Sequence, residues 1–378
     1  MTCLNKNQHY LIKITKLLIF KEITIMSKVK VALIGAGNIA NAHLDAYKKV
    51  PDAEIYAICD INPERLAETA DKYGITRRYT DVDTMLKELP ELDAADVCVW
   101  NCNHAECSIK ALNAGLNVLC EKPMAYNAEQ AVRMKEAADK NGKLLMIGFV
   151  LRFSNEAKIA MDFIKKDYLG DIYYSKAQYV RRHGNPGGWF ADKSRSGGGP
   201  VIDLGVHVID LTRYLMGKPK PVSVYAAVET KLGKRDYLKN SVGWIPRDAK
   251  PEDPCTVEDF ATALIRYDNG AVTQLEATYS INGEDIAKRQ LYGTKAGMDL
   301  SNGVKIYGEY NDFLADINVK TDHYKEAGDM FVNEMAHFID CIANGTECIA
   351  KAEDGIEVMK ILDAIYESGR TGHEVLIK

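Results

Sequence analysis

The feature that most restricts this chain is an alternation of two hydrophobic periods between residues 29 and 148. Val29–Ile34 is a short β-branched run; Gly35-Ala36-Gly37-Asn38-Ile39-Ala40 follows at once, and a helical pattern then runs through Val50. Short apolar runs read as buried strands, and amphipathic spacing reads as helix. The pairing recurs. Strand Glu54–Cys59 is followed by helical patterns at Pro63–Tyr73 and Asp83–Leu89, strand Asp96–Trp100 by helix His104–Ala114, and strand Asn117–Cys120 by helix Asn127–Lys140; strand Leu144–Gly148 closes the series. Strands joined through helices lie parallel, with helices on both sheet faces. The expectation is a doubly wound α/β sheet, whose ligands bind beyond the carboxyl ends of the strands.

The first strand-to-helix turn reads G-x-G-x-x-A, in the context this motif requires. Gly35 permits the tight turn, Gly37 lets backbone N–H groups approach a pyrophosphate, and Ala40 lets the helix pack closely on the strand. The helix N-terminus offers unpaired N–H groups and partial positive charge. Asp60 ends the second strand, where a carboxylate accepts both ribose hydroxyls of NAD and repels the extra phosphate of NADP. As a bare surface residue it would only cap the turn before "NPERL". NAD is therefore expected over NADP, with Arg65 close enough to soften the exclusion.

Glu121-Lys122-Pro123 closes an apolar strand at the same ligand-binding edge, as does Asn101. Pro123 biases Lys122 toward an extended backbone. The triplet reads either as a positioned catalytic group or as a strand ending on solvated charges.

From Gly170 the pattern changes. "DIYYSKAQYV", "PVSVYAAVETKL", "DFATALIRY", "AVTQLEATYS" and "RQLYGTKAGMDL" are strand-like, and Asp268-Asn269-Gly270 is a hairpin turn. A second domain of α+β type with an open, mainly antiparallel sheet is expected. The divisions are an extension over 1–26, a Rossmann domain over 27–148 and a second domain over 149–378. Met26 is the expected natural start. The tail "EDGIEVMKILDAIYESGRTG" reads as an amphipathic helix stopped by Gly369.

One helix, Pro200 to Gly217, is almost wholly apolar yet carries Asp203, His207, Asp210 and Tyr214 on one face. A carboxylate beside an imidazole raises its pKa and orients it, giving a usable general base. The same pair could equally be a helix-dipole carboxylate and a satisfied core histidine. Gly197-Gly198-Gly199 and Trp189-Phe190, just upstream, read as a flexible loop and an aromatic wall for a sugar-sized ligand.

Composition narrows the class. A net charge of -5 over 378 residues gives no basic field for nucleic acid. No run approaches the roughly 20 apolar residues of a membrane span. Nine cysteines without C-x-x-C pairs indicate free thiols and a cytoplasmic location. Cys98, Cys102, His104 and Cys107 match no common ligand spacing, so no metal is expected.

G-x-G-x-x-A, Asp60, Glu121-Lys122-Pro123 and "DLGVHVID" together resemble the glucose-fructose oxidoreductase / inositol dehydrogenase / rhizopine-catabolism (Gfo/Idh/MocA) family, from about Ser27 to Lys378. The resemblance implies an NAD(P)-dependent dehydrogenase of sugars, polyols or their derivatives, assembled as a homodimer or homotetramer through the open sheet. It implies Lys122, Asp203 and His207 as the catalytic set, with Gly35, Gly37, Asn38 and Ile39 as the phosphate loop and Asp60 as the ribose acid. Glu121 and Lys122 border the coenzyme. Asn101 and His104 match two positions of a family T-P-N-x-x-H stretch, whose Thr and Pro are Val99 and Trp100 here. Arg152 and Trp189, with Asp203, are carried as substrate contacts. The implied reaction oxidises a secondary alcohol of a sugar or cyclitol, or runs in reverse. His207 takes the proton, Asp203 orients His207, and Lys122 donates to the reacting oxygen. Relatives also imply a redox-assisted glycoside hydrolase or lyase with tightly held NAD, or a non-catalytic NAD-binding regulator.

Overall fold

The computed structural model describes residues 28–239, 245–247, 249–321, 324 and 328–378. The extension 1–26, including the expected start at Met26, lies outside the described residues.

The first half is the expected parallel sheet. Its elements are β1 (Val29–Ile34), α1 (Asn38–Tyr47), β2 (Ala53–Cys59), α2 (Pro63–Tyr73), β3 (Arg78–Tyr79), α3 (Val82–Glu88), β4 (Ala94–Val97), α4 (His104–Asn113), β5 (Asn117–Glu121), α5 (Ala128–Asn141) and β6 (Leu145–Gly148). The six strands pair in parallel in the order β3-β2-β1-β4-β5-β6. Val31, Ala32, Leu33 and Val118 are wholly buried, because helices cover both faces of such a sheet. β4 ends at Val97, not at Trp100. Cys98–Trp100 therefore leaves the ladder, and Trp100 faces a cavity instead of a neighbouring strand.

α6 (Asn155–Lys165) leads to β7 (Ile172–Val180), a single-turn α7 (Lys193–Ser196), a π-turn over Val201–Gly205, and α8 (Val206–Leu215). The remaining elements are β8 (Pro221–Glu229), β9 (Phe260–Tyr267), β10 (Val272–Thr278), β11 (Ile286–Gly293), β12 (Gly297–Asp299), β13 (Lys305–Tyr310), β14 (Phe313–Asn318), α9 (Met330–Asn344), α10 (Ala352–Thr371) and β15 (Val375–Leu376). Strands β7 to β15 form a nine-stranded open sheet in which β7 and β10 pair in parallel and the other neighbours are antiparallel.

Two local expectations change, and one hairpin is added. "RQLYGTKAGMDL" is the β11–β12 hairpin, not one strand. β13 and β14 form a further hairpin, turned by Asn311 and Asp312 at φ 52° and 63°, conformations that Asn and Asp tolerate. α10 runs through Gly369 to Gly372, whose φ of 70° ends it. Gly369 instead allows close packing, since a Cβ there would lie 2.6 Å from Val228 Cγ2.

The segment between α9 and α10 returns to the first sheet. Ile147 N–H donates to Ala350 O at 3.0 Å, beside a bridge between Met146 and Lys351. The first and second domains are thereby tied together.

Candidate active site

A cavity of about 510 Å³ lies between the carboxyl ends of the parallel strands and the second sheet. The first half lines it with Gly35, Gly37, Asn38, Ile39, Asp60, Asn101, His104, Glu121 and Lys122, and the second with Arg181, Trp189, Phe190, Asp203 and His207.

The coenzyme side begins at Gly35. Its φ is 100°, and a Cβ there would lie 2.5 Å from Cys98 O, so only glycine fits. A Cβ at Gly37 would meet nothing within 4 Å; the space beside it is open to the cavity. Gly37 is the N-cap of α1 and supplies no side-chain cap, so the first N–H groups of the helix remain available to an anion. Asp60 Oδ2 accepts the Ala36 N–H at 2.7 Å and Oδ1 accepts the Asn62 N–H at 2.7 Å. The carboxylate thus braces the glycine loop and keeps lone pairs for further donors. These residues fit a dinucleotide.

Asn101 Nδ2 donates to Ser196 O at 2.7 Å and ties the two domains. His104 is buried between Pro123 O at 2.7 Å and Val99 O at 3.1 Å, and burial pushes its pKa down. It fastens two loops of the cavity wall. The Lys122–Pro123 peptide is cis.

Lys122 Nζ donates to Asp203 Oδ1 at 3.0 Å and to Asp203 O at 3.3 Å. Tyr279 Oη donates to Asp203 Oδ2 at 2.9 Å. Burial pushes the Asp203 carboxyl up, but the Lys122 ammonium outweighs it and the net direction is down, so the group is a carboxylate. Both its oxygens are engaged by Lys122 and Tyr279. This corrects the expectation that Asp203 orients His207: the two share the cavity wall without a hydrogen bond. It also corrects the expected rise in the pKa of His207. Burial, reinforced by the Lys122 ammonium, lowers it to about 3. His207 is therefore a neutral imidazole, and its buried Nδ1 has no hydrogen-bond partner among the described residues. An orphaned buried nitrogen costs about 1–3 kcal/mol.

The helix face splits. Asp203 sits in the π-turn, a distortion often found at functional sites, and His207 in the first turn of α8; both reach the cavity. Asp210 and Tyr214 do not. Asp210 holds Arg152 through bonds of 2.9 and 2.6 Å, and the Tyr214 ring lies under the guanidinium at 4.6 Å. Arg152 is 1% exposed, with Asp354 as a further partner, and does not line the cavity. Its expected substrate contact is thus corrected: it is a buried brace. Trp189 and Phe190 do form an aromatic wall, their rings tilted by 35° with centroids 3.9 Å apart. Two of the three glycines are close-packed, not flexible: a Cβ at Gly198 would lie 1.9 Å from Tyr366 Oη, and one at Gly199 2.3 Å from Glu258 O, whereas Gly197 is set by its φ of 85°. Arg181, just beyond β7, lines the cavity; its neighbours Arg182 and His183 do not.

Two contributors escaped the sequence reading. Tyr279 lies just beyond β10, and nothing in its strand-like surroundings marks it. His43 lies on the buried face of α1, with Nδ1 2.8 Å from Asp96 Oδ2 and Nε2 3.1 Å from Glu121 Oε1. Burial alone would lower its pKa; the Asp96 carboxylate outweighs this and carries it well up. The imidazolium holds Glu121, whose Oε2 accepts the Lys122 N–H at 3.0 Å. Glu121 thus sets the Lys122 backbone.

Comparison with known proteins agrees with this geometry. The profile described as "Oxidoreductase family, NAD-binding Rossmann fold" matches residues 29–149, and that of "Oxidoreductase family, C-terminal alpha/beta domain" matches 162–377. The chain is 33% identical over 363 residues to D-glucoside 3-dehydrogenase of Escherichia coli K12, covering 94% of this chain and 99% of that protein. It is 27% identical to levoglucosan dehydrogenase of Pseudarthrobacter phenanthrenivorans, covering 91% and 96%. A solved levoglucosan dehydrogenase in complex with NADH superposes with a TM-score of 0.81 at 26% identity, covering 93% of this chain and all of that one. The chain belongs to the Gfo/Idh/MocA family of NAD-binding oxidoreductases.

Proposed function

We propose that this protein oxidises a ring secondary hydroxyl of a glucoside, an anhydrosugar or a cyclitol with NAD. The observation that carries the reading is the meeting of Lys122, Asp203 and neutral His207 in the cavity that the glycine loop also lines. The relatives' names, glucoside 3-, levoglucosan and myo-inositol 2-dehydrogenase, supply the substrate class.

Bound NAD supplies the hydride acceptor. The chain's residues handle the proton and the oxygen. Neutral His207 accepts the hydroxyl proton, since only the uncharged ring has a free lone pair. Lys122 donates to the same oxygen and stabilises the negative charge that grows on it. Asp203 holds the Lys122 ammonium on one side and, through Tyr279, is itself held on the other. Trp189 and Phe190 offer an apolar face to a sugar ring. Gly35, Gly37, Asn38 and Ile39 would hold the pyrophosphate, and Asp60 the adenosine ribose.

The test is reduced-nicotinamide absorbance with NAD and with NADP against alkyl and aryl glucosides, levoglucosan, inositols, free aldoses and uronates. Turnover is expected with NAD and at least one glycoside, anhydrosugar or cyclitol. No turnover across the panel would defeat the reading.

We also infer a homodimer or homotetramer. Tyr225, Leu264, Tyr310, Phe313 and Leu314 are exposed on strands of the open sheet, which gives a second copy a face to cover. Sedimentation showing only monomer at micromolar concentration would contradict this. The described cysteines are all free, which suits a reducing cytoplasm.

A further inference from the structure

We propose that His337, Cys341 and Cys348 form a binding site for one zinc-class divalent cation, away from the coenzyme cavity. His337 and Cys341 are four residues apart on α9 and so share a face. Gly345 ends the helix at φ 70°, and the returning chain brings Cys348 to the same place. One ligand atom from each residue lies within 4.8 Å of the other two. Cys341 Sγ is 3.4 Å from His337 Nε2. A tetrahedral zinc with its usual sulfur and nitrogen bond lengths has an S-to-N edge of about 3.5 Å. Two sulfurs and an imidazole select a soft or borderline cation over magnesium or calcium.

The surroundings prepare these atoms. Ile349 N–H donates to His337 Nε2 at 3.1 Å, which marks this nitrogen as an acceptor and holds it beside the two sulfurs. The His337 ring packs on Phe153 with centroids 5.4 Å apart, which limits its rotation. Cys348 is buried, whereas His337 and Cys341 are half-buried, so a cation can enter from solvent and a water can complete the coordination. On binding, the thiols release their protons to solvent, and the Ile349 N–H turns to the adjacent sulfurs as the cation takes the Nε2 lone pair. No electron is transferred.

The cation would act as a staple. It would join α9 to the Cys348–Lys351 segment, which extends the first sheet through Ala350 O. Ile349 O accepts from Arg152, which in turn holds Asp210 on α8. The site therefore secures the brace behind the active site without touching the cavity.

The test uses the full chain, without an affinity tag, purified under reducing conditions. Zinc is measured by mass spectrometry after dialysis, and cobalt(II) is then titrated into the chelator-treated protein. Stoichiometric zinc and a sulfur-to-cobalt charge-transfer band are expected, both lost in Cys341→Ser and Cys348→Ser and both kept in Cys107→Ser. Chelation should lower Tm while NAD binding is retained. Absence of metal with both thiols free, a Cys341–Cys348 disulfide in the purified protein, or a cobalt band that survives both serine variants would each overturn the proposal.

Discussion

Lys122 Nζ lies 3.0 Å from Asp203 Oδ1, although the two residues are 81 positions apart and belong to different domains. Each side chain is 16% exposed. The ion pair closes the cavity and commits the ammonium to one place. Such a pair gains little net stability over an apolar one, but removal of one partner leaves a poorly solvated charge.

Asp203→Ala should therefore damage both activity and fold. Loss of a group that positions a transition-state donor costs on the order of 10²–10³ in kcat, and stability should fall by about 1–3 kcal/mol given the residual solvent contact. Steady-state kinetics and urea unfolding measure the two effects. Asp203→Asn keeps the shape but not the charge and should recover stability more than activity.

Tyr279→Phe removes one donor from the same carboxylate. A hydrogen bond to a charged group contributes about 1.5–3 kcal/mol, so kcat/KM for the sugar should fall roughly 10–100-fold. NAD affinity should stay within error, because Tyr279 does not line the cavity. An unchanged kcat/KM would remove Tyr279 from the account.

The pH behaviour of His207 has a definite sign. Its folded pKa is lowered from 6.5 to about 3, so the unfolded chain binds the proton more tightly. The stability contribution is fully present above pH 6.5 and is lost as pH falls toward 3. His207→Gln should flatten the acid-side slope of stability against pH in that window. In the wild-type protein, kcat/KM should show no acid limb in the usual histidine range, since the base is already neutral there.

Asp60 serves two ends. Asp60→Ser removes the acceptor for the Ala36 N–H at 2.7 Å and the carboxylate that disfavours a 2′-phosphate. KM for NAD should rise about tenfold or more while KM for NADP falls, both read from saturation curves. A variant that retained the wild-type coenzyme ratio would contradict the role.

The first domain was legible because it is local. Strand–helix alternation repeats from 29 to 148, and G-x-G-x-x-A and Asp60 lie within about thirty positions, each with a backbone reason for its place. Asp203 and His207 were legible because helical spacing puts them on one face. What that face meets was not. Asp210 and Tyr214 obey the same spacing yet turn to Arg152, because a π-turn interrupts the helix and a buried guanidinium from another segment claims them. Tyr279 and His43 act through contacts 76 and 78 positions away. The Asn311-Asp312 turn carried its signal in residue type, but the short, exposed strands around it lack a buried period.

The central claim is that Lys122 and His207 act on one oxygen. The most direct measurement is single-turnover NADH formation from an accepted glycoside by wild type, Lys122→Ala, His207→Ala and the double variant. Each single variant should lose on the order of 10²–10⁴ in rate, and the double variant should lose clearly less than the product of the two. Retention of most of the wild-type rate by either single variant, or losses that multiply in full, would contradict the account.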